Sequence, residues 1–257
     1  MKNHIPNFIT SLNLVCGCMA IVAVFHNRLD ESAILIAIAA VLDFFDGFAA
    51  RMLSVHSEIG KQLDSLADMV SFGVAPGMIL YTMLEPGYHF VVDGHTLNFE
   101  RYEYIKYLAL LIPVFSAVRL AKFNIDTRQS DSFIGVPTPA NCMLISSIPV
   151  ILIHQNGYTI NPDGSFSLYN FIEIIGNQWF LVTLILIMSY LMVAELPLFA
   201  LKFKSFDWQN NKLRYLFLAM SATLIVTTQF ISIPIIIVLY ILLSLVISIF
   251  KIDSSSK

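Results

Sequence analysis

The sequence predicts an all-α protein, a polytopic membrane bundle of about eight transmembrane helices with both termini in the cytoplasm. Three observations predict it. Of the 257 residues, 57% are hydrophobic and 13% charged, whereas a soluble domain is near a quarter charged; the mean hydropathy is +0.74. The apolar residues gather in runs of about 17–25, the length that crosses a bilayer core. Lys and Arg are also unevenly divided between alternate loops.

The runs lie at roughly 8–26, 31–50, 61–84, 105–124, 137–154, 178–200, 213–230 and 232–250. The first holds Asn13 and Gly17 and is followed by no cleavage site, so it reads as a retained span rather than a signal peptide. The last two are separated only by the Gln229–Pro234 segment, where a hairpin is expected. No polar segment is long enough for a separate soluble domain, so residues 1–257 read as a single integral-membrane domain. There is no internal repeat, and the only low-complexity stretch is the Ser254–Ser256 tail.

With this alternation, eleven Lys and Arg fall on the side of the N-terminus: Lys2, Arg51, Lys61, Lys122, Arg128, Lys202, Lys204, Lys212, Arg214, Lys251 and Lys257. Three fall on the other side (Arg28, Arg101, Lys106), and Arg119 lies within a span. The positive-inside rule then puts both termini in the cytoplasm and the Gln155–Gln178 segment outside. A net charge of -3 gives no case for nucleic-acid binding. Cys16, Cys18 and Cys142 form neither a zinc pattern nor a disulfide framework and read as small buried hydrophobes. The six histidines show no ligand spacing, and Tyr102, Tyr104, Trp179 and Trp208 read as interface belts.

Against this apolar background the stretch from Asp43 to Asp68 stands apart: D-F-F-D-G-F-A-A-R, eight residues, then G-K-Q-L-D-S-L-A-D. Asp43 and Asp46 are three apart and Asp64 and Asp68 four apart, so each pair shares one helix face. The first pair closes one span and the second opens the next, which brings all four to one depth just below the cytoplasmic surface. Each carboxylate costs about 2.5–3.5 kcal/mol at a helix centre and less near its end, so the set costs at most on the order of 10 kcal/mol. A bound divalent cation offsets that cost by cancelling the repulsion and replacing lost hydration. Hard oxygen ligands favour Mg²⁺ or Mn²⁺ over zinc. Four carboxylates suffice to bridge two such ions, an arrangement suited to displacement at phosphorus. Gly47, Ala50 and Gly60 carry no bulk, which allows either close approach of a nucleotide or close helix packing. Arg51 fits either a phosphate partner or an interface anchor.

The fixed positions read D-x2-D-G-x2-A-R-x8-G-x3-D-x3-D, which resembles the signature of the CDP-alcohol phosphotransferase family. That family transfers a phosphatidyl or phosphoalcohol group from a CDP-linked donor to a hydroxyl and releases CMP, using two divalent metals. The resemblance implies that Asp43, Asp46, Asp64 and Asp68 are metal ligands and that Asp68 is also the general base on the acceptor hydroxyl. It implies that Gly47, Ala50, Arg51 and Gly60 line the CDP pocket, and that the protein is a homodimer. It further divides the chain into a six-helix core, 1–205, and two additional C-terminal helices with a tail, 206–257. No ATP is needed for such a transfer, and no G-x4-G-K-[ST] sequence is present.

Other stretches bear on the acceptor: Pro6-Asn7, Thr10-Ser11-Leu12-Asn13, S-F-G-V-A-P from Ser71, V-R-L-A-K-F-N from Val118 and F-I-G-V-P-T-P-A from Phe133. Over about residues 5–140 these resemble the family's serine-accepting members, which use CDP-diacylglycerol as donor. Serine needs partners for a carboxylate and an ammonium. Arg119, an intramembrane arginine near the depth of the aspartates, is assigned to the carboxylate, with Lys122 and Asn124 assisting. Glu195 is a candidate for the ammonium, with a hydrogen-bonded packing role as the alternative. Two other readings compete. One keeps the enzyme with glycerol phosphate or inositol phosphate as acceptor, which calls for a denser basic pocket. The other is a cation transporter, which calls for symmetric repeats and broken helices.

Overall fold

The computed structural model describes residues 4–55, 57–92, 95–97, 100–126, 133–154, 168–198 and 207–250. Outside these lie His56, residues 155–167 of the Gln155–Gln178 segment, the Ser254–Ser256 tail, and Lys2, Arg128, Lys202, Lys204, Lys251 and Lys257 of the charge count.

Apolar run length is the strongest local signal in the chain, and helices occupy every predicted run. They are α1 (His4–Phe25), α2 (Leu29–Met52), α3 (Glu58–Asp68) continuing into α4 (Ala75–Met83), α5 (Leu111–Ile125), α6 (Thr138–His154), α8 (Gln178–Val193), α9 (Trp208–Thr228) and α10 (Ser232–Phe250). Five segments are long and apolar enough to cross a membrane: His4–Phe25, Leu29–Met52, Glu58–Met83, Glu103–Ile125 and Asn211–Ser248; α6 and α8 are shorter apolar helices. The protein is a helical integral membrane protein.

The last of those five segments is folded back on itself. The rings of Phe217 and Tyr240 lie 5.9 Å apart although 23 residues separate them. The bend falls at Gln229, whose φ is +48°. The expected hairpin is therefore present, and α10 packs back against α6.

The third run is not a uniform helix. Ser57 caps α3 by accepting from the Gly60 N–H at 2.9 Å. Between α3 and α4 the chain winds through a π-helical turn, Met69–Val74, in which the Ala75 N–H reaches back to the Val70 carbonyl. Pro76 follows at once and has no N–H to give. The wider turn relieves the conflict between that proline and continuous α-hydrogen bonding, and such turns recur at functional sites. It also presents Ser71 and Gly73 to neighbours. A Cβ at Gly17 would sit 2.3 Å from Ser71 Oγ and 2.9 Å from Ser71 Cα, and one at Gly73 would sit 3.0 Å from Ser116 Cβ. These contacts clamp the π turn between α1 and α5.

Several expectations are corrected. The fourth run begins as a 3₁₀ helix, Glu103–Leu110, before α5. The sixth helix ends at Val193 rather than near 200, because Ala194 turns extended and the chain pairs with the 133–136 segment. Pro197 disfavours helix at the residue before it, which assists the break. Strands Phe133–Ile134 and Pro197–Leu198 form this antiparallel ribbon, and a second joins Phe90–Val92 to His95–Leu97. A short helix α7 (Leu168–Gly176) was not anticipated. Of the three cysteines only Cys142 is fully buried; Cys16 is half-buried and Cys18 exposed, because α1 lies at the edge of the bundle with one face outward.

Candidate active site

The helices alternate in direction, so one end of the bundle gathers the start of α1, the end of α2, the start of α3, the end of α5, the start of α6 and the end of α8. This is the aspartate end. Asp43, Asp64 and Asp68 bring one carboxylate oxygen each to within 4.8 Å of one another. The carboxyls of Asp43 and Asp68 are within hydrogen-bonding reach. Two carboxyls hold such a position with either a shared proton or a cation between them. Asp68 Oδ1 and Asp46 Oδ2 are buried with no partner. An all-oxygen donor set with unpartnered buried lone pairs fits a divalent cation.

Asp46 does not belong to that close group. It lies one turn nearer the end of α2, 5% exposed, beside Thr10 of α1. There it helps to line a cavity of about 480 Å³ together with Gly47, Ala50, Gly60 and Asp64, and with Pro6, Asn7, Thr10, Val55, Ser57, Glu58 and Lys61. Asp64 belongs to both the cavity and the carboxylate group. Five of the sequence-predicted site residues, Asp46, Gly47, Ala50, Gly60 and Asp64, thus line one cavity. Arg51 is exposed at its edge, and a Cβ on Gly47 would meet its Nη1 at 3.5 Å, an ordinary contact. Gly47 is therefore not required by packing within the chain; its smallness leaves the cavity open. Gly60 is different. A Cβ there would lie 2.8 Å from Ser57 Oγ and 2.9 Å from Asn7 Oδ1, so the residue lets α1 and α3 close together.

A second cavity, of about 330 Å³, lies beside α5 and is lined by Arg119, Lys122, Ile125, Asp126, Ile134, Met192, Val193, Ala194 and Glu195. Arg119 is 6% exposed. Its Nε donates to the Val136 carbonyl at 2.7 Å, its guanidinium lies 5.7 Å from the Phe123 ring centre, and its Nη2 is buried with no partner. Helix α3 stands between the two cavities. Asp64 faces the first, while Ser65 accepts from Asn124 Nδ2 at 2.8 Å and Lys61 Nζ donates to the Asn124 carbonyl at 3.1 Å. The structure thus gives Asn124 a different place from the one assigned by sequence: its amide ties α5 to α3 and it does not line the second cavity. Lys122 does line it, and its Nζ lies 3.5 Å from the Val193 carbonyl at the end of α8.

Asn13 was given no role at the site, yet it is 0% exposed with neither amide atom partnered. Its backbone carbonyl accepts from Ser71 Oγ at 3.1 Å, one turn beyond Asp68. Asn7 and Thr10, one helical face of α1 with Asn13, were likewise given no role. Their three-residue spacing beside membrane-grade sequence was the available signal.

Comparison with known proteins decides the family. The sequence model of CDP-alcohol phosphatidyltransferases matches residues 3–252. The chain belongs to this family. Among its relatives in the family, it is 38% identical over 156 residues to the CDP-diacylglycerol–serine O-phosphatidyltransferase of Bacillus subtilis, covering 58% of this chain and 80% of that protein. It is 32% identical over 173 residues to the protein of the same name from Helicobacter pylori, covering 66% of this chain and 67% of the relative. It is also 32% identical over 146 residues to the archaetidylserine synthase of Methanothermobacter thermautotrophicus, covering 56% of each. As a member of the family the protein is a CDP-alcohol phosphotransferase.

Proposed function

We propose that this protein transfers the phosphatidyl group of CDP-diacylglycerol to the hydroxyl of L-serine, giving phosphatidylserine and CMP. The observation that carries the reading is the unpartnered, buried guanidinium edge of Arg119 in a cavity separated by α3 from the glycine-lined one. The names of the relatives, serine-specific in bacteria and archaea alike, support it.

The glycine-lined cavity takes the CDP moiety, with Gly47, Ala50 and Gly60 admitting it close to the helix backbones and Arg51 pairing with phosphate at the rim. Asp43, Asp46, Asp64 and Asp68 would hold Mg²⁺ or Mn²⁺, two ions in all, which when bound neutralise the diphosphate and polarise the phosphorus under attack. Asp68 accepts the proton of the serine hydroxyl as its oxygen bonds to phosphorus and the bond to CMP breaks. Arg119 holds the serine carboxylate and Lys122 adds positive charge beside it. A hydroxyl and a phosphoanhydride aligned by separate cavities gain most of their rate from that positioning.

The eight apolar helices are read as eight spans with both termini cytoplasmic, so that the site meets lipid headgroup and cytosolic serine at one depth. Residues 1–205 are read as the catalytic core and 206–257 as an addition to it, of which α10 packs against α6. The assembly is read as a homodimer, on the family resemblance. Purified protein in mixed micelles with CDP-diacylglycerol should release CMP with L-serine and not with glycerol phosphate or inositol phosphate. Metal-dependent CMP release by detergent-solubilised protein would exclude a pure cation transporter.

A further inference from the structure

One buried face of α1 carries Thr10, Asn13, Gly17, Ala20 and Val24. Contacts on either side of Asn13 fix its depth. Thr10 is within hydrogen-bonding reach of Asp46 on α2. Helix α2 runs antiparallel to α1, so one turn further in Asn13 comes level with Asp43. Gly17 lies against the π turn that follows α3, where a Cβ would sit 2.9 Å from Ser71 Cα. That segment runs parallel to α1, so one turn back from this contact Asn13 comes level with Ala67 and Asp68. The Ser71 hydroxyl donates to the Asn13 carbonyl at 3.1 Å, which pins the register. Asn13 therefore faces the junction at which the Asp43 and Asp68 carboxyls meet.

The Asn13 side chain is 0% exposed, and among the described residues neither its Nδ2 nor its Oδ1 has a partner. Asp68 Oδ1 is a buried acceptor in the same condition. A buried amide with both ends unbonded weakens the fold that carries it, and a leucine of nearly the same size would suit this apolar helix. Past Gly17 the same face is apolar, so its polar part is confined to the depth of the aspartates. Side chains that ligate a metal are themselves held by hydrogen bonds from an outer layer, and that layer governs cation affinity. Asn13 Nδ2 is a donor, and ionised Asp43 and Asp68 offer only acceptors. The Oδ1 end accepts from the water that a hydrated Mg²⁺ or Mn²⁺ retains.

We propose that Asn13 is a positioning residue of the cation site, donating from Nδ2 to the paired Asp43 and Asp68 carboxylates and so raising their affinity for a divalent ion. This rests on the reading of those carboxylates as metal ligands. It gives Asn13 no contact with the phosphorus or the acceptor.

Mn²⁺ binding to the full-length protein in detergent tests it without turnover, with free ion followed by electron paramagnetic resonance. Asn13→Leu should raise the Kd for Mn²⁺ at least tenfold, the lower end of the effect of removing an outer-layer partner. Its unfolding midpoint in EDTA should not fall, and the rise in that midpoint on adding Mn²⁺ should shrink. An amide that serves only helix packing gives the reverse, a lower midpoint in EDTA with Mn²⁺ affinity unchanged, and that result overturns the proposal. If Asn13→Leu does not fold, Asn13→Ala, which adds no bulk beside the carboxylates, decides by the same Kd: a tenfold rise upholds the role and an unchanged value overturns it. A wild-type protein that binds no Mn²⁺ would instead overturn the metal reading itself, whatever Asn13 does.

Discussion

The two ends of the bundle treat buried polar groups in opposite ways. At the end away from the aspartates they are tied to one another. Arg101 Nε donates to the Met83 carbonyl at 2.9 Å and its Nη2 to that of Gly176 at 2.8 Å. Burial pulls this guanidinium down to about 10, which leaves it charged at neutral pH. The Tyr102 N–H donates to Gln178 Oε1 at 2.7 Å, Lys106 pairs with Glu85 at 2.7 Å, and His154 meets Asp30 at 2.9 Å. At the aspartate end, Asn13, Asp46, Asp68, Arg119, Thr138 and Asn141 each keep a buried atom without a partner. Gln178 Nε2 and Ser32 Oγ are exceptions at the far end. Native folds leave few buried polar atoms unsatisfied, because each costs about 1–3 kcal/mol. A concentration of them at one end marks where the fold has been shaped to something other than itself. The far end fastens helices; under the proposed function the aspartate end is completed by substrate and cation.

The largest effects test that completion directly. Removing divalent cations with EDTA should abolish CMP release, and adding back Mg²⁺ or Mn²⁺ should restore it. Activity that survives exhaustive chelation would break the comparison at its centre, since the carboxylate group would then have no occupant to explain it. Asp68→Asn should lower kcat by about 10²–10⁴-fold, the usual contribution of a positioned base. Binding of CDP-diacylglycerol should persist, because Asp43, Asp46 and Asp64 remain. Lost binding with normal residual turnover would instead place Asp68 in donor binding alone.

Arg119→Lys comes next. A lysine keeps the charge but not the forked geometry that serves Val136 and a carboxylate together. The KM for serine should rise about tenfold, the equivalent of one charge-assisted hydrogen bond, with the KM for CDP-diacylglycerol unchanged. Unaltered serine affinity would return Arg119 to the class of helix ties, alongside Arg101.

What the sequence disclosed follows the same division between local and long-range determinants. The eight helix positions were legible because run length is a local property, and so was the convergence of Asp43, Asp64 and Asp68, because two antiparallel helices joined by a short loop can place them nowhere else. The separation of Asp46 from that group was not legible, since it depends on α1 inserting Thr10 beside it. The shortened α8 arises from a ribbon between residues more than sixty positions apart. The π turn at Met69–Val74 hid inside an apolar run, where the periodicity that betrays an irregular helix is absent. The place of Asn124 was not legible for a related reason: its neighbours in sequence line the second cavity, but its own side chain faces α3.

The smallest effect belongs to the far end and sharpens the contrast by being invisible to kinetics. Arg101→Met keeps an apolar stem of similar length and removes the donors to the Met83 and Gly176 carbonyls. Those two acceptors sit where α4 ends and α7 ends, so the change loosens a junction of three chain segments. The cost should be about 1–3 kcal/mol, the range for partners left unsatisfied, discounted toward its lower end because water reaches this partly exposed site. A lowered unfolding midpoint in detergent checks it. Per folded molecule, kcat and both KM values should match the wild type, since Arg101 lines neither cavity. A change in serine KM would mean that the two ends communicate through α5, and the division of labour between them would have to be redrawn.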